Sequence, residues 1–327
     1  MKLNQLVRYI KSRLQGKRRF AGVAMLLFMA GSMHNVLAQQ EPLYTQYMFN
    51  TVSVNPAYAG TRDAMNLLFL SRLQWSGLDG APKTNTFSMH SPLNNYNMGV
   101  GFSVVSDKIG PVNNYYINLN YAYRVNLTDK MILSMGIKGG IYNYYVGLND
   151  IPLNENGDPA FAGDLEKRLQ PNVGAGLYLY TDKFYVGVSV PKLIQTDIGN
   201  EVKSGTSVLG ELKRHYFIMG GYVFDLNHEF KLKSSLINKM VEGAPPSTDI
   251  TAQMIYKDTY WLGATYRVGD AVAFLADIQI NKQLIVGYSY DFSVSRLAGY
   301  NHGSHEIMIS YDFDGFLKKK TKSLRHF

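Results

Sequence analysis

The chain has 327 residues, with 33 Lys or Arg against 25 Asp or Glu, a formal charge of +8. It contains no cysteine, which excludes a disulfide framework and thiolate chemistry. Seven of the basic residues (Lys2, Arg8, Lys11, Arg13, Lys17, Arg18 and Arg19) lie in an acid-free leader; without them 26 basic residues face 25 acidic ones, so the charge gives no argument for nucleic acid.

Residues 1–38 read as a signal peptide. The basic stretch is followed by AGVAMLLFMAGSM at 21–33, an apolar run too short to span a bilayer as a helix. Val36 and Ala38 fit the small-residue positions before a cleavage point, which makes Gln39 the first mature residue. The alternative is an uncleaved anchor. After residue 38 no apolar run is long enough for a transmembrane helix.

Residues 39–64 form an N-terminal segment that does not alternate as a strand should. Its centre, YTQYMFNTVSVNPAYAG at 44–60, is aromatic and uncharged. Asn55–Pro56 marks a change of direction, because the residue before proline is pushed to extended geometry. Tyr44, Gln46, Tyr47, Met48, Phe49, Asn50, Asn55, Pro56 and Tyr58 are candidates either to plug a barrel mouth or to contact a protein partner.

From residue 65 to 313 the sequence alternates with period two. Strand patterns cover 65–75, 84–91, 96–106, 113–126, 130–147, 172–180, 183–191, 213–226, 229–239, 248–256, 259–268, 271–280, 283–293 and 304–313, about fourteen in all. In YNMGVGFSVVS, Met98, Val100, Phe102 and Val104 share one face and Gly99, Gly101 and Ser103 the other. In NNYYINLNYAYRVNL, Tyr115, Ile117, Leu119, Tyr121, Tyr123 and Val125 make a long apolar face. The opposite face carries Asn118, Asn120 and Arg124; with Lys138 these are candidates to line a lumen. Many of these segments exceed the usual soluble strand and suit tilted membrane strands.

Connections segregate by length. SPLNNY, NLTDK, TD, NH, KD and NK are short. The intervening stretches 76–83, 148–171, 192–212, 240–247 and 294–303 are longer, and only VGD at 268–270 departs. Outer-membrane barrels have this asymmetry, with short periplasmic turns, longer extracellular loops and an even strand count. The reading is therefore an all-β chain: a transmembrane antiparallel β-barrel of about 14 strands at 65–313, with an N-terminal periplasmic plug-like segment. SHEIMISYDF is its closing strand. Both ends fall on the short-turn side. Residues 314–327 form a basic periplasmic tail with Lys318, Lys319, Lys320, Lys322 and Arg325, either a solvated terminus or a contact for an acidic partner or the anionic cell wall.

No catalytic motif emerges. The seven histidines include no zinc pattern, and His302 and His305 lie three apart in a loop-to-strand region. Ser88 and His90 share a strand face, the nearest approach to a nucleophile and base. NENGDP at 154–159 reads as an Asn-Gly turn rather than a calcium loop, lacking its spaced acids. The expectation is a non-enzyme with no cofactor, no metal, no nucleic-acid partner and no small-molecule substrate.

YTQYMFNTVSVNPAYAG resembles the opening signature of the PorP/SprF family of type IX secretion system membrane proteins of Bacteroidetes. The resemblance continues in LQPNVGAGLYLYTDKFYVGVSVPKLI at 169–194 and LAGYNHGSHEIMISYDF at 297–313. It implies an outer-membrane barrel working with the apparatus that exports adhesins and enzymes. Expected partners are outer-membrane lipid, a secreted protein with a C-terminal sorting domain, such as a gliding adhesin, and periplasmic components of the system. The role would be export, surface anchoring of that protein, or both. The alternative is a passive channel, or one for lipid or hydrophobic solutes.

Overall fold

The computed structural model describes residues 41–62, 64–93, 97–147, 164–202 and 205–313. The signal-peptide reading, the NENGDP turn and the basic tail lie outside these residues.

Sixteen strands follow one another: β1 (Met65–Leu73), β2 (Lys83–Pro92), β3 (Met98–Ile109), β4 (Val112–Asn126), β5 (Ile132–Val146), β6 (Leu165–Tyr180), β7 (Phe184–Val190), β8 (Thr196–Val202), β9 (Gly205–Leu212), β10 (His215–Asp225), β11 (Phe230–Val241), β12 (Ala244–Tyr256), β13 (Tyr260–Arg267), β14 (Ala271–Gln279), β15 (Leu284–Ser293) and β16 (Ser304–Phe313). Fourteen close into an antiparallel barrel, while β8 and β9 pair only with each other. The barrel shuts where β1 meets β16, in a register running from Met65 opposite Phe313 to Leu73 opposite His305.

Each barrel strand obeys two solvents at once. On β4, Asn114, Tyr116, Asn118, Asn120, Ala122 and Arg124 are buried inside, while Tyr115, Ile117, Leu119, Tyr121 and Tyr123 are exposed outside. This is the reverse of a water-soluble core, and it suits hydrocarbon around the wall with every backbone bond satisfied within the ring. Leu119, 65% exposed, lies midway along β4. Leu119→Arg is expected to cost about 2–4 kcal/mol, the usual penalty for a basic residue near the bilayer midplane. A folding equilibrium in lipid vesicles measures it; a value near zero would contradict a lipid-facing position.

The two ends differ. At one, hairpins turn within 93–97, 127–131, 181–183, 226–229, 257–259 and 280–283, and β1 begins and β16 ends there. Four of these turns use one device. The Oγ1 of Thr128 and Thr181, and the Oδ1 of Asn227 and Asn281, each accept from backbone N–H groups two and three residues on. The opposite end carries the long connections 74–82, 147–164, 191–214 and 294–303.

Two expectations fail there. Residues 240–247 are not a long loop, because β11 runs to Val241 and β12 starts at Ala244. Pro245 and Pro246 read as loop residues but occupy the start of a strand, where the missing N–H is tolerated. The stretch 148–171 is not a connection throughout, because β6 begins at Leu165; 192–212 is a long connection, and it carries the β8–β9 hairpin.

Candidate functional site: an occupied lumen

The lumen holds the chain's own N-terminal segment. Residues 41–62 enter among side chains at the long-loop end and leave beside the start of β1, so the segment runs the length of the barrel. It is therefore not a cap on the short-turn mouth, as the sequence had suggested. Its partners are luminal groups at both ends of the wall, and no short-range pattern encodes them.

At the long-loop end Glu41 pairs with Lys192 (2.7 Å), just beyond β7. Burial alone would raise the Glu41 carboxyl, but Lys192 and His215 outweigh it and hold the acid below its ordinary range. The Lys192 ammonium also lies over the rings of Tyr116 (4.0 Å) and Tyr142 (4.7 Å).

Next comes a buried charge network. Glu306 accepts from the backbone N–H of both Thr45 and Gln46 (2.8 Å each). Arg72 bridges Glu306 (3.2 Å) and Asp291 (2.8 Å) and donates to Thr45 Oγ1. Thr45 Oγ1 in turn donates to Asp291. Arg267 joins Asp291 (3.4 Å) to Asp249 (3.1 Å) and donates to the Tyr44 carbonyl. Lys239 completes the set on Asp249 (2.9 Å). Arg72, Arg267 and Lys239 thus balance Asp249, Asp291 and Glu306, as burial of charge requires.

The nine candidates of this segment are all buried. Tyr44 hydroxyl shares a hydrogen bond with Thr86 (2.8 Å), and its ring meets Tyr47 edge to face. Gln46 is held by its backbone on Glu306. Met48 and Phe49 pack with Leu68, Ile255, Trp261, Leu275, Ile285 and Met308. Asn50 precedes the one-turn helix Thr51–Val54 and accepts from Ser53 Oγ.

Asn55 then organises a tight turn. Its Oδ1 accepts from Ala57 N–H (3.0 Å), Pro56 opens a 3-10 turn, and its Nδ2 donates to the Leu177 carbonyl on β6. Tyr58 packs edge-on to His90 and Tyr178. Gly60 has φ +72, a conformation that glycine adopts at no steric cost.

That turn presses its backbone against the wall, and the wall yields with glycine. A Cβ at Gly99 would lie 2.1 Å from the Ala59 carbonyl oxygen, one at Gly136 2.2 Å from Ala57 N, and one at Gly176 2.1 Å from Asn55 Oδ1. Strands β3, β5 and β6 therefore form a glycine seat for the NPAYAG turn.

The lumen candidates all face inward. Asn118 donates to Ser103 and accepts from Tyr142. Asn120 is buried on the same face. Arg124 donates to the carbonyls of Gly60 and Met98, and Lys138 donates to the Ser53 carbonyl. Two of the four therefore hold the inner segment directly. Ser88 and His90 also face inward, but His90 Nδ1 accepts from Gly60 N–H, so His90 supports the turn. Arg62 ends the passage on Asp312 (3.2 Å) near the short-turn end.

Sequence reasoning missed Arg72, Asp249, Arg267, Asp291 and Glu306. The signal was available in part: Arg267 lies between Tyr266 and Val268 and Asp291 between Tyr290 and Phe292, whereas Arg72, Asp249 and Glu306 each have one polar neighbour (Ser71, Thr248 and His305). Among the described residues, small cavities lie between the inner segment and the wall, about 20 Å³ beside Tyr47, Met48 and Ile237 and about 30 Å³ beside Glu41, Tyr116 and Lys138. Each has room for roughly one or two waters.

A family model described as type IX secretion system membrane protein PorP/SprF matches residues 36–311. Among solved structures the chain is similar to the Acinetobacter baumannii outer membrane protein Omp33 (11% identity, 78% of this chain and 100% of that one, TM-score 0.45). It is also similar to a Pseudomonas aeruginosa FadL homologue (12% identity, 80% and 94%, TM-score 0.46). A third is the P. putida toluene transporter TodX (9% identity, 81% and 94%, TM-score 0.45). No curated protein sequence matches.

Proposed function

Because the chain belongs to the PorP/SprF family of type IX secretion system membrane proteins, we propose that it is a non-enzymatic outer-membrane barrel serving export, surface anchoring, or both, of a secreted protein with a C-terminal sorting domain, such as a gliding adhesin. The observation that carries this reading is the filled lumen. Residues 41–62 occupy the bore, held by a balanced charge network and by the glycine seat. A barrel so closed has its binding capacity at its rims. The long connections all lie at one rim, where a secreted partner has a surface to grip. The same closure weighs against the solute-channel reading, which needs a continuous aqueous path.

Affinity capture from detergent-solubilised outer membranes, with mass spectrometry of the companions, tests this. One large secreted protein is expected, lost when residues 148–163 of the connection before β6 are deleted, and marks a dedicated anchor. Periplasmic components of the system in its place mark a part of the machinery. Recovery of neither, together with stepwise conductance of the wild-type protein in a planar bilayer, would overturn the proposal in favour of a channel.

A further inference from the structure

The outer wall is not uniformly apolar. Near the long-loop end several strands present an aromatic residue to the bilayer boundary, among them Tyr115 on β4, Tyr216 on β10, Tyr266 on β13 and Phe292 on β15. Strands β2 and β3 depart from that pattern. Their register sets Lys83 directly opposite Lys108, both exposed and outward. Like charges in facing cross-strand positions are destabilising. Neither lysine has an ion-pair partner among the described residues.

One outward position further down the wall, Ser71, Asn85 and Ser106 stand in a row across β1, β2 and β3, and Ser71 Oγ donates to Asn85 Oδ1 (2.8 Å). The next row down is Phe69, Phe87 and Val104. Charge, then hydroxyl and amide, then hydrocarbon follow in steps of about 7 Å, the two-residue rise of a strand. That sequence of polarity matches a lipid standing in the leaflet: phosphate at the boundary, its polar linkages beneath, its chains below. The β3–β4 connection is only Gly110–Pro111, so no long loop of that hairpin stands between Lys108 and the headgroup region. Barrels of this kind turn their long-loop end outward.

We propose that Lys83 and Lys108, with Ser71, Asn85 and Ser106, form a site on the outer wall for the phosphate of a phosphate-bearing lipid of the outer leaflet, whose acyl chains lie along Phe69, Phe87 and Val104. Lysine binds phosphate as a point charge. A phosphate between the two lysines offsets the repulsion that their register imposes. The site is independent of what the rims bind.

The test titrates fluorescent lipid A, a phosphorylated glycolipid, into the purified full-length barrel in neutral detergent micelles. The K83Q/K108Q variant is expected to bind about thirtyfold more weakly, from the attraction typical of two basic residues at an anionic lipid surface. Lys130→Gln, at an exposed turn of the opposite end, is expected to bind like wild type. Dephosphorylated lipid A is expected to bind wild type as weakly as intact lipid A binds the double variant. Heat-modifiable gel mobility verifies that each variant is folded. Equal affinity of folded K83Q/K108Q and wild type would overturn the proposal. So would inorganic phosphate competing at the same concentration as lipid A, which would make the site one for a free anion.

Discussion

Gly136→Val is expected to unseat the inner segment and open a conducting path. The position is inward on β5, and a side chain there meets only backbone: Ala57 N at 2.2 Å, the Pro56 carbonyl carbon at 2.4 Å and Ala57 Cα at 2.5 Å. No rotamer change relieves such a clash, so either β5 or the turn must move. The strand is fixed by its ladders to β4 and β6, whereas the turn is held by side chains and a few carbonyls. The turn is therefore expected to give way, with a stability loss of about 1–3 kcal/mol, the usual range for overpacking. Gly139, three residues along the same strand, faces outward with nothing within 4 Å. Gly139→Val is the matched control, expected to leave both stability and conductance near wild type. Denaturant unfolding in vesicles and planar-bilayer recording read the two consequences separately. A Gly136→Val barrel as stable and as closed as wild type would show that the turn does not rest on β5.

How much of this was legible follows from what each residue answers to. Tyr115 to Arg124 could be read directly, because bilayer and lumen demand opposite polarity at every step of a membrane strand. The period-two signal is therefore complete, and it carried the barrel and its strand number. Strands β8 and β9 lie outside that ring, so no wall divides their faces, and TDIGNEV and GTSVLGEL show no clean alternation. Pro245 and Pro246 misled for a local reason, since proline reads as loop wherever it falls.

The inner segment was legible as something other than a strand, and its candidate residues were visible as an uncharged aromatic run. Its course was not. Gln46 is held by Glu306, 260 residues away, and the NPAYAG turn depends on glycines from three separate strands. Alternation sets Gly136 on the lumen face and Gly139 on the lipid face; only the packed barrel shows that Gly136 meets backbone. The luminal acids and arginines were hidden differently. Each alone reads as a polar residue on a lumen face, and only closure of the ring places Arg72, Arg267 and Lys239 among three carboxylates.

That network supports the second large effect. Glu306 is fully buried and accepts from Arg72 and from two backbone N–H groups of the inner segment. Glu306→Ala leaves all three donors without this acceptor and leaves the cations of the network in excess by one. Breaking one partner of a buried ion pair costs about 3–5 kcal/mol, because the remaining charge stays buried without compensation. The loss is expected in vesicle unfolding of the full-length protein, with faster proteolysis near residue 45 as the segment loosens. The same substitution in a barrel lacking residues 41–62 is expected to behave otherwise. With the bore open, Arg72 meets water, and the pair is worth no more than about 1 kcal/mol, as at a surface. The difference between the two backgrounds measures how far the inner segment itself creates the dry environment that makes the network costly to break. Equal losses in both backgrounds would mean that the wall alone buries the charges and that residues 41–62 are a passenger. A large loss confined to the full-length chain would identify the segment and the network as one cooperative lock.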